Sequence, residues 1–247
     1  MKKAGMIGGL AWPSTVEYYR LICQRVSEYH ERQGGSPPWA VPEMTIESVN
    51  IAKTRALRGT QGDEASWADF DRVFREILLG LREAGAGFGF IASNTPHMRL
   101  HAITRDLDFK VVSIIDSMAE LVTANNAWEV LVLGTAVTMR SPVYAQVLSG
   151  KGVEANKRLP ENVIDEIQYL IDTDFYSGNA IASRDRLLEI CRQHIRGSDT
   201  VISLACTELP LAFPDHREEA VFEFDGLTFI NTTVAHVHSI VREILTP

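Results

Sequence analysis

Ile202-Ser203-Leu204-Ala205-Cys206-Thr207-Glu208-Leu209-Pro210 is an apolar run that stops at a thiol and gives way to polar residues suited to opening a helix. Gly89-Phe90-Ile91-Ala92-Ser93-Asn94-Thr95-Pro96-His97 has the same construction, with a hydroxyl where the other carries sulfur. Short apolar runs bounded by turn residues read as buried strands. In α/β folds the groups at the carboxyl ends of such strands face the ligand crevice. The two stretches therefore predict an α/β architecture in which each half of the chain ends a strand on a small reactive side chain.

Outward from these stretches, Gly5-Met6-Ile7 predicts a first strand turning at Gly8-Gly9, and Val130 to Thr135 a later one with a matching turn at Gly134. Met44 to Asn50, Lys110 to Ile115 and Leu227 to Ile230 also read as strands. Helical spacing predicts helices from about Pro13 through Val26, Trp67 to Glu83, Asp116 to Ala124, Met139 to Leu148, Pro160 to Tyr176, Ala180 to Ile195, and a last one from Thr232 or Thr233. Trp67, Phe70, Phe74, Ile77, Leu78 and Leu81 share one helical face. Gln33 to Pro42 is a turn-rich loop long enough to act as a flap. Aligning Gly8 with Gly134 and Ser93 with Cys206 makes the halves a weak internal repeat. The expected fold is α/β, with two pseudo-symmetric lobes, each a mainly parallel sheet flanked by helices. The first lobe takes residues 1–112 plus 231–247 and the second residues 113–230.

The 247 residues suffice for two small lobes with real cores, and 45% hydrophobic with 23% charged residues is ordinary for a soluble protein. A formal charge of −8 argues against a nucleic-acid partner. No apolar run reaches membrane-spanning length, and Met1-Lys2-Lys3 leads straight into a strand rather than a signal-peptide core. Three cysteines without CxxC spacing fit a reducing cytoplasm. Neither GxGxxG nor GxxxxGK[ST] occurs, so no dinucleotide or nucleoside triphosphate is implied, and no lysine is singled out for pyridoxal chemistry. His97 and His101 have i,i+4 spacing but no third ligand, so they read as ordinary surface or interlobe residues and no metal is expected. His236 is weighed between a cleft-facing and a structural role. Trp12, Tyr18 and Tyr19 read as core and wall positions, with Trp12 a candidate to border the site.

Removing a proton from an α-carbon needs a placed base and donors for the developing charge. A thiol titrates near 8.5, and a helix N-terminus can lower it, so Cys206 is the candidate base. Glu208 can orient or deprotonate the thiol, while its charge opposes thiolate formation. Thr207 and neighbouring backbone N–H groups can hold a carboxylate. Ser93 is a far poorer carbon base than a thiolate, so a site built on this pair would turn over mirror-image substrates unequally. The plain alternative for Cys206 is a small buried core residue, the reading that suits Cys23 and Cys191.

Gly8-Gly9-Leu10-Ala11-Trp12-Pro13-Ser14-Thr15, Ser93-Asn94-Thr95-Pro96-His97, Leu133-Gly134-Thr135-Ala136-Val137-Thr138-Met139, Ala205-Cys206-Thr207-Glu208 and Asn231-Thr232-Thr233-Val234-Ala235-His236 occur in this order. Together they resemble the aspartate/glutamate racemase family, the cofactor-independent amino-acid racemases. The resemblance implies a site in the cleft between the lobes, no cofactor, and a homodimer. It implies that Cys206 takes the proton from the L-form and that Ser93, standing where members usually carry a first cysteine, delivers one to the opposite face. Asn94, Thr95 and Thr207 match positions that hold the amino and carboxylate groups, and Thr15 and Thr138 are further candidates. Asn50, Ala136 and Asn231 depart from the Asp, Arg and Asp the family often carries there, which puts aspartate and glutamate in doubt as substrates. The expected substrate is an aspartate/glutamate-like α-amino acid, with a less acidic amino acid or a different small carboxylate as alternatives. A decarboxylase or isomerase of a small carboxylic acid on the same fold, or an inactive carboxylate sensor, remains open at this point.

Overall fold

The computed structural model describes residues 1–155, 159–175, 180–197 and 199–246. The chain divides into two compact units, Met1–Ser113 with the C-terminal segment from His236 on, and Ile114–Ala235.

In the first unit the elements run β1 (Ala4–Gly8), α1 (Trp12–Arg32), β2 (Met44–Ser48), α2 (Ile51–Ala56), α3 (Ala68–Glu83), β3 (Phe88–Ile91), α4 (Leu100–Thr104) and β4 (Val111–Val112). The strands order β2-β1-β3-β4, all parallel, with Met6 opposite Ile46 on one side and Phe90 on the other. Every residue of β1 and β3 is buried, the pattern of parallel strands covered on both faces. Phe70, Phe74, Leu78 and Leu81 form the buried stripe of α3, and a 3-10 turn ending at Trp67 precedes the helix. Lys110 to Ile115 is not one strand: pairing stops at Val112 and helix begins at Ile114.

The turn after β1 depends on glycine. Gly9 has φ +78°, and a Cβ there would lie 2.2 Å from the carbonyl oxygen of Val49. The Gly9 N–H donates to Thr15 Oγ1 at 2.8 Å, which binds the turn to the first turns of α1. Gly9→Ala therefore meets both a left-handed backbone and a backbone clash, and is expected to lower unfolding stability by about 2 kcal/mol or more. A urea denaturation midpoint equal to the parent's would refute this. Of the aromatics at the start of α1, Tyr18 is fully buried, but Trp12 is 74% and Tyr19 48% exposed. The core-and-wall reading of those two is corrected, because they fall on the solvent side of the helix whose other face carries Tyr18, Leu21 and Ile22.

The second unit runs α5 (Ile114–Ala124), β5 (Glu129–Gly134), α6 (Ala136–Arg140), α7 (Val143–Ser149), β6 (Glu154–Ala155), α8 (Glu161–Leu170), α9 (Arg184–His194), β7 (Thr200–Ala205), β8 (Val221–Phe224), β9 (Leu227–Asn231) and the start of α10 (Thr232–Leu245). Its strands order β6-β5-β7-β9-β8, parallel except for the β8–β9 hairpin. Asp225 and Gly226 make the hairpin turn with φ +53° and +73°, both in the left-handed region that such tight turns demand. Alternation along β7 sends Ile202 and Leu204 into one apolar cluster, with Cys206 next along, and Val201 and Ala205 into the cluster on the opposite face.

Met139 to Leu148 is two helices rather than one, because Ser141-Pro142 interrupts the hydrogen bonding between α6 and α7. α8 ends at Leu170 and widens into a π-helical turn, Ile171–Phe175; the expected end at Tyr176 lies outside the described residues. α9 begins at Arg184, four residues later than Ala180.

Candidate active site

In the second unit, β5 and β7 end side by side, Gly134 in register with Ala205. A side chain at Gly134 would come within 2.5 Å of the Ala205 carbonyl oxygen, so glycine is what lets the two ends lie this close. Cys206 follows directly on β7 and is 5% exposed. Its Sγ–H donates to Glu208 Oε2 at 2.9 Å, and the Thr207 hydroxyl donates to the same oxygen, also at 2.9 Å.

The electrostatic consequence reverses an expectation. Burial pushes the Cys206 thiol well above its ordinary pKa, and the Glu208 charge and hydrogen bond add to that. A bond from the Glu208 backbone acts the other way, and the more distant Asp172 charge adds a smaller upward push. The turn after Glu208 is a four-residue 3-10 segment, Leu209–Ala212, rather than a helix whose N-terminus could lower the thiol. Cys206 therefore rests as a neutral thiol bonded to the buried side chain of Glu208, which is 6% exposed.

From the neighbouring strand end, Thr138 is 1% exposed and its hydroxyl sits 3.0 Å from that of Thr135, which caps α6. The Ala136 N–H donates to Gln168 Oε1 at 2.8 Å. Tyr144 is buried close enough to Cys206 for the thiolate charge to raise its phenol, after burial, the larger cause. Thr138 and Tyr144 also border a cavity of about 240 Å³ shared with Met139, Ser141 and Leu159.

In the first unit Ser93 follows β3, half-buried, its N–H donating to the Ile91 carbonyl at 2.8 Å. Asn94 and Thr95 are 4% and 5% exposed and lead into a 3-10 turn. The Thr15 hydroxyl, which accepts from Gly9, also donates to the Ala11 carbonyl at 3.4 Å, so it braces the turn after β1. Asn50 and Asn231 likewise act as caps, Asn50 for α2 and Asn231 for α10.

Beneath Ser93 lies a buried histidine pair. His97 Nδ1–H donates to the Ser93 carbonyl at 2.8 Å, and the ring meets His236 edge-on with centroids 5.4 Å apart. His236 Nε2 is 3.0 Å from the Val112 carbonyl and Nδ1 is 2.9 Å from the Tyr18 hydroxyl. A carbonyl only accepts, so Nε2 carries the hydrogen and Tyr18 donates to Nδ1. Burial, then the neighbouring His97, hold His236 well below its ordinary pKa. His236 is thus a neutral core residue, and His97 is buried rather than on a helix surface, whereas His101 is exposed. Sequence reasoning missed His97 as the brace of Ser93; the signal was its position four residues on. Among the described residues no group of three or more His, Cys, Asp or Glu side chains could hold a metal ion, and no helix is long and apolar enough to cross a membrane.

The chain matches the Asp/Glu/hydantoin racemase family over residues 7–240. It is 27% identical over 157 residues to the broad specificity amino-acid racemase RacX of Bacillus subtilis (strain 168), covering 62% of this chain. That match spans 66% of the Bacillus protein, just under two thirds of its length. Among solved structures, an aspartate racemase homologue from Pyrococcus horikoshii OT3 superposes with a TM-score of 0.75 at 24% identity, covering 100% of both chains. The Picrophilus torridus aspartate racemase gives 0.69 at 16% identity over 99% of this chain and 94% of that one. Identities this low carry the α/β fold and nothing finer. With the family match running from β1 into α10, the chain belongs to the Asp/Glu/hydantoin racemase family and is a homologue of amino-acid racemases.

Proposed function

We propose that this protein is a cofactor-independent racemase of a free α-amino acid, favouring the L-enantiomer, with Cys206 as base and Ser93 as the opposing proton donor. The observation that carries this reading is the Cys206 Sγ–H bond to Glu208. Passing that proton to the carboxylate leaves a thiolate, which takes the α-proton of the L-substrate. Developing charge on the substrate carboxylate is met by oriented donors, for which Thr207, Asn94 and Thr95 are the candidates, with Thr15 and Thr138 as further ones. The Ser93 hydroxyl then protonates the carbanion on its other side. The cycle closes when the Ser93 oxygen regains a proton from water and the protons held by Cys206 and Glu208 return one to solvent. A hydroxyl is a weaker carbon base than a thiolate, so the return direction is slow.

The test is α-proton exchange in D₂O, followed by NMR over a panel of L- and D-amino acids. Exchange with appearance of the mirror-image product supports racemisation. Ser93→Cys is expected to bring the two directions within about tenfold of each other; an unchanged imbalance would count against Ser93. We also infer a cytoplasmic homodimer, for which light scattering is the check.

A second reading has an observation in its favour. A thiol held neutral is well suited to protonating a carbanion left by decarboxylation of a substituted malonate. Carbon dioxide release without α-proton exchange would select it.

A further inference from the structure

The π-helical turn Ile171–Phe175 is a geometry that recurs at functional sites. Ile171 and Phe175 are buried in the same apolar cluster as Cys206 and Leu209, and the turn packs against the 3-10 segment that follows Glu208. Asp172, between these two anchors, is exposed, so the buried pair presents it on the open side of the turn.

Gln168, one helical turn earlier, holds it there. Gln168 Nε2 donates to Asp172 Oδ2 at 2.8 Å while Oε1 accepts the Ala136 N–H, also at 2.8 Å. Ala136 stands two residues past Gly134, whose strand partner is Ala205. One amide therefore ties Asp172 to the strand end beside Cys206, and the Asp172 charge is felt at the thiol. Nearby carboxylates are matched by arginines: Glu161 and Asp165 by Arg140, Glu166 by Arg186. Among the described residues Asp172 is matched by a neutral amide, so it brings negative charge towards the Cys206 strand end.

We propose that Asp172, braced by Gln168, is a specificity-determining residue that favours amino acids ending in an ammonium or guanidinium group over those ending in a carboxylate. The inference rests on reading Cys206 as the residue that takes the α-proton. A cationic side chain gains a charge-assisted partner at Asp172. A carboxylate side chain is repelled by the like charge of Asp172.

The experiment compares wild type with Asp172→Asn, which keeps an acceptor for Gln168. Exchange of the α-proton is measured on L-lysine, L-ornithine, L-methionine and L-glutamate, with calorimetric binding of L-lysine and L-glutamate alongside. Wild type is expected to favour lysine over glutamate in kcat/KM by at least about tenfold. In Asp172→Asn the lysine-to-methionine ratio falls by about tenfold, mainly through KM, and glutamate improves. Using the ratio removes any uniform change in the Cys206 thiol. An equal loss on all substrates overturns the proposal, since Asp172 would then hold the α-ammonium they share. A wild-type preference for glutamate overturns it as well. If nothing exchanges but lysine binds in an Asp172-dependent way, the selectivity stands and the racemase reading falls. If lysine neither exchanges nor binds, the selectivity is overturned.

Discussion

Cys206→Ala removes α-proton exchange, with an expected fall of at least about 10³-fold in kcat/KM, because the thiolate that takes the proton from carbon is lost. The fold tolerates the change: Cys206 contributes a small buried volume, and the loss of one sulfur costs about 1 kcal/mol. Retention of exchange within tenfold of the parent would remove Cys206 from the mechanism. Cys206→Ser separates shape from chemistry. A hydroxyl can keep the bond to Glu208 Oε2 but is a poor carbon base, so its activity is expected to stay near that of the alanine variant. Glu208→Gln tests the other half of the pair. It removes a charge that opposes the thiolate, and it also removes the acceptor that takes the thiol proton. If proton acceptance dominates, kcat falls by about 10² or more. If repulsion dominates, kcat rises and the pH profile moves to lower pH.

Acid is expected to unfold the first unit through His236. In the unfolded chain this histidine titrates near 6.5, whereas in the fold burial and the facing His97 keep it neutral to much lower pH. Below about pH 6.5 the unfolded state therefore binds one proton more than the native state. Stability is complete above that value and falls by about 1.4 kcal/mol per pH unit as pH drops towards the folded pKa. Glu28, Glu166 and Glu243, held low by their partners, add their own acid losses, as does the depressed His238. The difference from His236→Gln isolates the one group. Glutamine can still reach Tyr18 or Val112 but cannot titrate. Moving from near pH 7 to about pH 5, the parent is expected to lose about 2 kcal/mol more than the variant in urea denaturation. Equal losses would mean that His236 titrates alike in the folded and unfolded states.

Much of the fold was legible along the chain. β7, Thr200–Ala205, ends where the apolar run from Ile202 gives way to Cys206-Thr207-Glu208, because a strand covered on both faces is mostly apolar and polar residues end it. The buried stripe of α3 follows from 3.6-residue spacing in the same way. What escaped was short or punctuated: β6 has two residues, and α2 is a single capped turn and a half after Asn50. The Asp225-Gly226 turn and the Ser141-Pro142 break are marked in the chain by their turn residues. Trp12 and Tyr19 were misplaced because an aromatic residue says nothing about which side of its helix faces outward.

The candidate site divides along the same line. That a thiol and a hydroxyl each follow a buried strand was determined by the sequence, since neighbours in the chain are enough to end a strand and start a turn. How deeply Cys206 is buried, the neutrality of His236 and the bracing of Asp172 by Gln168 were decided by tertiary structure alone. Each depends on how far water is excluded and on which charges approach through space, and neither is recorded in the order of residues.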